Sequence, residues 1–293
     1  MANQSNSAGH QRDDDASSLI AGIKDARPLG DADPTAAAFF DIDNTVIKGA
    51  SIFALARGML REDILKRSTM LGFALKQARF VLSGTENLDD MVKIQESALS
   101  IVQGRRVDEM KAIASSVFDD YMVDKLWPGT LALARFHIEA GQRVWLVSAT
   151  PVEVAEVIAE RLGLSGAIGT RAEIDNGIYT GRLIGYPVHG QAKADAVAKL
   201  AKAESLNLQR CWAYSDSAND IPMLSLVGNA VAINPDKKLA AYARAHAWQI
   251  RDFRTTNFAM RVGIPVAAAS GVAIGATTGS LITAAVMRRA RLT

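Results

Sequence analysis

The chain has 293 residues, 49% of them hydrophobic, with a formal net charge of +2, which is enough for one large or two small domains with a real core. Near-neutral charge, without interleaved basic and aromatic residues, removes the electrostatic case for nucleic acid as a partner. The single cysteine, Cys211, excludes an internal disulfide, and His10, His137, His189 and His246 lack metal-ligand spacing, so no zinc site is expected.

Residues 1–34 are rich in Ser, Asn, Asp and Gly, with only a short apolar patch at Leu19-Ile20, and read as a disordered tail. No apolar core follows a basic start, so the folded domain is expected to be cytoplasmic. The apolar run from Ala36 to Phe40 then reads as a strand over 37–40, buried on both faces in a parallel sheet. Residues 49–128 break the rhythm: apolar positions at Ile52, Leu55, Ala56, Met59 and Leu60, then Met70, Leu71, Ala74, Leu75 and Ala78, predict helices that form a small inserted bundle. Strands are predicted at 144–147, 167–169, 211–214 and 230–233, and helices at 152–162, 191–205 and 236–245. Cys211 falls in one of these apolar runs, as a small buried hydrophobe. Ile174-Asp175-Asn176-Gly177-Ile178-Tyr179 predicts a hairpin, because Asn-Gly suits a two-residue type I′ turn. The fold class is therefore α/β, a Rossmann-like parallel sheet with flanking helices, its core spanning 35–48 and 129–253 around a helical cap at 49–128.

The remainder, 254–293, contains 26 uncharged residues over 262–287, flanked by Arg261 and Arg288. A helix of that length spans roughly 39 Å, enough for a hydrocarbon core of about 30 Å. Gly271, Gly275 and Gly279 recur at intervals of four, as in closely packed membrane helices. The segment is read as a membrane anchor and a candidate self-association helix, against a soluble Ala-rich helix packed on the domain or on another subunit.

Three strand ends and one helix start each carry a component suited to a phosphate site. Asp41 and Asp43 follow the first strand, where ligands of open α/β sheets bind. Two carboxylates so close repel unless a cation or a shared proton relieves them. Ser148-Ala149-Thr150 ends the second strand with a hydroxyl and free N–H groups suited to an oxyanion. Lys193 enters a helix in its first turn, opposing the dipole without an obvious carboxylate partner, so a bound anion would account for it. The strand at 211–214 runs into Ser215-Asp216-Ser217-Ala218-Asn219-Asp220. Each feature has a plainer reading, as an Asx-type turn, an N-cap, an exposed lysine or a capping loop. Jointly those readings leave the pattern unexplained.

In order, Asp41-Ile42-Asp43-Asn44-Thr45, Ser148, Lys193 and Tyr214-Ser215-Asp216-Ser217-Ala218-Asn219-Asp220-Ile221-Pro222-Met223-Leu224 resemble the haloacid dehalogenase superfamily of phosphatases. The branch is the phosphoserine-phosphatase-like one, with a helical cap after the first strand, and the resemblance covers about 36–253. Ala56-Arg57-Gly58 and Val102-Gln103-Gly104-Arg105 are similar to the cap of bacterial hydrolases of this branch. The resemblance implies that Asp41 is the nucleophile, giving an aspartyl-phosphate, and Asp43 the acid–base group. It implies Mg²⁺ held by Asp41, the Asp43 backbone carbonyl and Asp216, with Asp220 supporting that shell directly or through water. Ser148 and Lys193 would hold the phosphoryl oxygens, with Asn219 a weaker candidate for orienting phosphate or water.

Phosphoserine-specific members carry a glutamate shortly after the first motif, and Lys48-Gly49-Ala50-Ser51-Ile52 has no acid there. The expected substrate is a small phosphorylated metabolite without strict phosphoserine specificity. The alternative is a phosphorylated lipid head group or glycerol phosphate at the membrane. A non-catalytic phosphoryl-binding regulatory protein on the same fold and phosphotransfer to an acceptor other than water remain as other readings.

Overall fold

The computed structural model describes residues 17–28, 32–65 and 99–254. In chain order these form a short helix α1 over 17–24, β1 (Ala37–Phe40), α2 (Ser51–Arg61), α3 (Val107–Val117), α4 (Pro128–Glu139), β2 (Arg143–Pro151), α5 (Val152–Leu162) and β3 (Gly166–Thr170). There follow β4 (Ala172–Asp175), β5 (Ile178–Leu183), α6 (Gln191–Ala203), β6 (Trp212–Ser215), α7 (Ile221–Leu226), β7 (Asn229–Ile233), α8 (Lys237–Ala245) and β8 (Gln249–Arg251). Six strands form one sheet in the order β3-β2-β1-β6-β7-β8, and every adjacent pair in it is parallel.

β1 sits inside the sheet because both its faces are apolar. Ala38 and Phe40 join the core containing α5, while Ala37 and Phe39 join the core containing α6, α7 and α8. Phe39 and Phe40 are almost wholly buried, each burial contributing roughly 1.5–3 kcal/mol. Phe40 also stacks on Tyr214 of β6, with ring centroids 4.2 Å apart. α5 buries Val154, Ala155, Ile158 and Leu162 at helical spacing and ends at Gly163, whose φ of 68° is the left-handed conformation of a helix stop.

Two expectations are corrected. The opening stretch is helical over 17–24 and buries Ile23 to 2% exposure, because Leu19, Ile20 and Ile23 make one apolar stripe. The second strand continues past Val147 to Pro151, with a shift in its pairing to β3 between those residues, so Ser148 and Thr150 lie within the strand rather than beyond it.

The inserted segment is helical where described. α2 buries Ala54, Leu55, Gly58 and Met59. It meets α3 so closely that a Cβ on Gly58 would lie 2.1 Å from Val117 Cγ2. α3 continues through a π-helical turn (Phe118–Met122) and a 3₁₀ turn (Val123–Lys125), and Lys111 bridges to Glu156 of α5 at 3.0 Å. The apolar stripe from Met70 to Ala78 lies outside the described residues.

β4 and β5 form the expected antiparallel hairpin, with φ of 49° at Asn176 and 78° at Gly177, the signs a type I′ turn requires. It lies against the part of the inserted segment just before α3. The Gly104 N–H donates to the Tyr179 carbonyl at 2.9 Å and the Tyr179 N–H to the Arg105 carbonyl at 3.0 Å. Among the described residues no helix is long and apolar enough to cross a membrane. The 262–287 segment, on which the sequence reading places an anchor, lies outside them.

Candidate active site

Register brings the candidate residues to one edge. Phe40 pairs with Leu146 and with Tyr214, so Asp41 lies level with the residues just before Ser148 and Asp216. The Asp41 N–H continues the pattern by donating to the Tyr214 carbonyl at 2.9 Å. The chain then turns sharply: Asn44 has a φ of 58°, and its side-chain oxygen accepts from the Gly49 N–H at 3.0 Å. That turn delivers Ser51 to the start of α2, where its N–H donates to Asp43 Oδ1 at 2.8 Å. Asp43 therefore rests on the first turn of a helix.

Lys193 enters from the opposite side. Gly190, with φ 55° and ψ −123°, precedes α6. Lys193, in the first turn, is 3% exposed. The sequence reading found no carboxylate partner for it, and the fold supplies two: Nζ lies 2.5 Å from Asp41 Oδ1 and 2.7 Å from Asp220 Oδ2. Asp220 also accepts from the Ser215 hydroxyl at 2.7 Å. Burial alone would lower the Lys193 pKa, but Asp41 and Asp220 outweigh it and hold the ammonium charged. Burial pushes the Asp41 carboxyl upward and the Lys193 ammonium opposes it, while Asp220 and Asp43 add to the push. Asp216 is pushed up to about 7, by burial first and by Asp220 second.

The expected metal ligands are Asp41, Asp216 and the main-chain carbonyl of Asp43, with Asp220 in support. Among the described residues no group of three or more His, Cys, Asp or Glu side chains is placed to hold a metal. Asp43 Oδ1 accepts from the Ser51 N–H, and Lys193 lies against both Asp41 and Asp220, the latter also accepting from the Ser215 hydroxyl. The expected set asks for only two carboxylates, those of Asp41 and Asp216, beside the main-chain carbonyl of Asp43. This all-oxygen set fits a hard divalent cation that keeps part of its water shell.

Ser148 is 1% exposed. Its hydroxyl donates to Thr150 Oγ1 at 2.9 Å, and the Thr150 N–H donates back to Ser148 Oγ at 3.1 Å. Asn219 lies in a single 3₁₀ turn (Ala218–Asp220), its N–H on Ser217 Oγ at 3.2 Å.

Four residues escaped the sequence reading. Ser51, Thr150 and Ser215 hold site residues through the contacts above. Asp236 fixes the acidic loop: its carboxylate accepts from the Ala218 N–H at 2.8 Å and caps α8 at the Leu239 N–H at 2.7 Å. Its own N–H donates to the Asp216 carbonyl at 2.8 Å. Ser51 and Asp236 carry a local signal, a polar capping residue type just before an apolar-periodic run. Ser215 and Thr150 carry none beyond lying beside named residues.

Comparison with known proteins places the chain in a family. The family model of haloacid dehalogenase-like hydrolases matches residues 38–225. The phosphoserine phosphatase SerB1 of Mycobacterium tuberculosis is 47% identical over 285 residues, covering 97% of this chain and 91% of its own. A histidinol-phosphatase of Neisseria meningitidis is 26% identical over 221 residues, covering 74% and 98%. A crystal structure of a protein of unknown function from Bordetella pertussis superposes with a TM-score of 0.67 at 26% identity, covering 74% of this chain and 98% of that one. The chain belongs to the haloacid dehalogenase-like hydrolase family, among its phosphoserine-phosphatase-like phosphatases.

Proposed function

We propose that the chain hydrolyses a small phosphomonoester by way of a phosphoryl group carried on Asp41. The observation that carries this reading is the buried Asp41–Lys193–Asp220 array at the carboxyl edge of the sheet. An ammonium held charged beside a carboxylate lets that carboxylate approach an anionic phosphoryl group.

In the first step a carboxylate oxygen of Asp41 attacks phosphorus while the bond to the leaving oxygen breaks, and the Asp43 carboxyl gives its proton to that oxygen. In the second step a water attacks phosphorus and loses a proton to Asp43. The Asp41–phosphorus bond breaks, inorganic phosphate leaves, and both acids return to their starting state. Ser148 and Lys193 bind the transferring oxygens throughout, where donors aimed at developing charge are worth most. Asn219 lies at the same edge and is a weaker candidate for orienting phosphate or water. Mg²⁺, held by Asp41, Asp216 and the Asp43 carbonyl, would neutralise phosphoryl charge when bound. Ser215 and Asp236 keep Asp220 and the acidic loop in place.

The substrate reading rests on the first turn of α2. Relatives are named for two substrates, phosphoserine and histidinol phosphate. Here Ala50 precedes the helix, Ser51 is buried, and Ile52 and Phe53 are 43% and 72% exposed. Among the described residues, the first turn of α2 carries no acid to meet a substrate ammonium group. Glu62 and Asp63 lie beyond the far end of α2, roughly 16 Å along a helix of that length. A strong preference for phosphoserine is therefore not expected, because large discrimination needs a charged or hydrogen-bonding partner.

The test is kcat/KM for phosphoserine, histidinol phosphate, glycerol phosphate and other simple monoesters with Mg²⁺, on wild type and Asp41→Asn. Wild type should turn over several of them and Asp41→Asn none. Near-wild-type turnover by Asp41→Asn would falsify the mechanism. A preference for phosphoserine of several orders of magnitude would overturn the substrate reading alone.

A further inference from the structure

Among the described residues, a buried serine of the inserted segment touches the reaction centre. Ser51, the first residue of α2, is 0% exposed and has two contacts. Its N–H donates to Asp43 Oδ1 at 2.8 Å, and its hydroxyl lies 2.8 Å from the hydroxyl of Thr150, 99 residues along the chain. Thr150, itself 4% exposed, is in turn 2.9 Å from the Ser148 hydroxyl. Three buried hydroxyls therefore form an unbroken line from the start of the inserted segment to the serine read as a phosphoryl ligand.

We infer that Ser51 and Thr150 are positioning residues that orient the Ser148 hydroxyl toward the phosphoryl group and tie that donor to the residue holding Asp43. The inference rests on the reading of Ser148 as a phosphoryl ligand. Each hydroxyl has one proton and two acceptor positions. With its proton on Thr150, Ser148 has none to give to a phosphoryl oxygen. Reversal of the line supplies one: Ser51 donates to Thr150, Thr150 to Ser148, and Ser148 outward. In that state Ser148 accepts from both the Thr150 hydroxyl and the Thr150 N–H, and a donor that is itself accepting is strengthened. Only hydroxyl rotation is required, so no bond is made or broken. An apolar residue at 150 keeps the N–H and the strand but cuts the line, leaving Ser148 free to turn and Ser51 without its partner.

The experiment uses the full chain with Mg²⁺ and a simple phosphomonoester. It compares wild type, Thr150→Val, Thr150→Ser, Ser51→Ala, the Thr150→Val/Ser51→Ala pair and Ser148→Ala. Losing an oxyanion donor outright costs roughly 10²–10³ in kcat, so Thr150→Val should cost about tenfold in kcat and in affinity for orthovanadate, with KM within about twofold. Thr150→Ser, which keeps the hydroxyl, should restore most of both, and the double variant should be no worse than Thr150→Val. Wild-type kcat in Thr150→Val while Ser148→Ala is crippled would overturn this inference alone. So would a Thr150→Ser variant as poor as Thr150→Val, since shape rather than the hydroxyl would then matter. Wild-type turnover in Ser148→Ala would overturn both the inference and the reading of Ser148 beneath it.

Discussion

His137 gives stability a pH dependence that can be worked from its surroundings. The ring is 0% exposed, with Nδ1 2.6 Å from Gln142 Oε1 and Nε2 2.6 Å from the Tyr214 hydroxyl. Because Gln142 Oε1 only accepts, Nδ1 carries the proton and Nε2 accepts from Tyr214. A second proton would put a buried charge on the ring with no acid beside it. Burial accordingly pushes its pKa from 6.5 down to about 4, with the Gln142 bond opposing. The unfolded chain takes up that proton near pH 6.5 and the folded chain near pH 4, so stability is complete at pH 7 and falls as the pH drops between those values. Each pH step of one within that window removes about 1.4 kcal/mol, so roughly 2 kcal/mol is lost between pH 7 and pH 5, and roughly 3 kcal/mol by pH 4. Other groups titrate in the same range, so the quantity to measure is a difference. Urea unfolding of wild type and His137→Gln at pH 7, 5 and 4 should show the stability gap between them closing by about 2 kcal/mol from pH 7 to pH 5. A constant gap would refute the reasoning. The matter bears on the site because the Tyr214 carbonyl holds the Asp41 N–H.

Other outcomes follow from particular contacts. Lys193→Met leaves two buried carboxylates without their cation. It should cost about 3–5 kcal/mol in urea unfolding and reduce turnover to background; a stable, active variant would contradict the array. Gly58→Ala gains helix propensity of at most about 1 kcal/mol, but its Cβ would meet Val117 Cγ2 at 2.1 Å. Overpacking costs about 1–3 kcal/mol, so a net loss is expected that Val117→Ala should relieve; no relief would mean that α2 and α3 do not meet there. Chelation should abolish turnover and Mg²⁺ restore it, while Asp216→Ala should raise the Mg²⁺ concentration required; normal activity after exhaustive chelation would show the oxygen set misread.

Strands and turns whose signals are local were legible in the sequence. β1 is an apolar run cut short by acids, and the Asn176-Gly177 turn needs two positive φ values, which that dipeptide adopts readily. α4 was missed because it buries residues round much of its surface, Gly129, Thr130, Leu131, Ala134 and His137, so no clean apolar stripe marks it. β8 was missed because its three residues are all exposed and it lies at the sheet edge. In the site, the types and order of the acids, Ser148 and Lys193 pointed to phosphate chemistry. What could not be read was pairing across the fold. Lys193 meets Asp41 from 152 residues away, and Ser51 meets Thr150 only because the inserted segment starts beside β2. Nor does sequence order say which carboxylates Lys193 engages, here those of Asp41 and Asp220.

The central claim is that Asp41 carries the phosphoryl group, and Asp43→Asn tests it most directly. The amide keeps an oxygen for the Ser51 N–H, which now meets Asp43 Oδ1 at 2.8 Å, but it can neither donate the acid's proton nor take one from water. With a substrate whose leaving group departs without protonation, the phosphoenzyme should form and persist. Acid quench and peptide mass spectrometry should then find a phosphoryl increment on Asp41. No increment there while inorganic phosphate is still released, or an increment on another residue, would contradict the account.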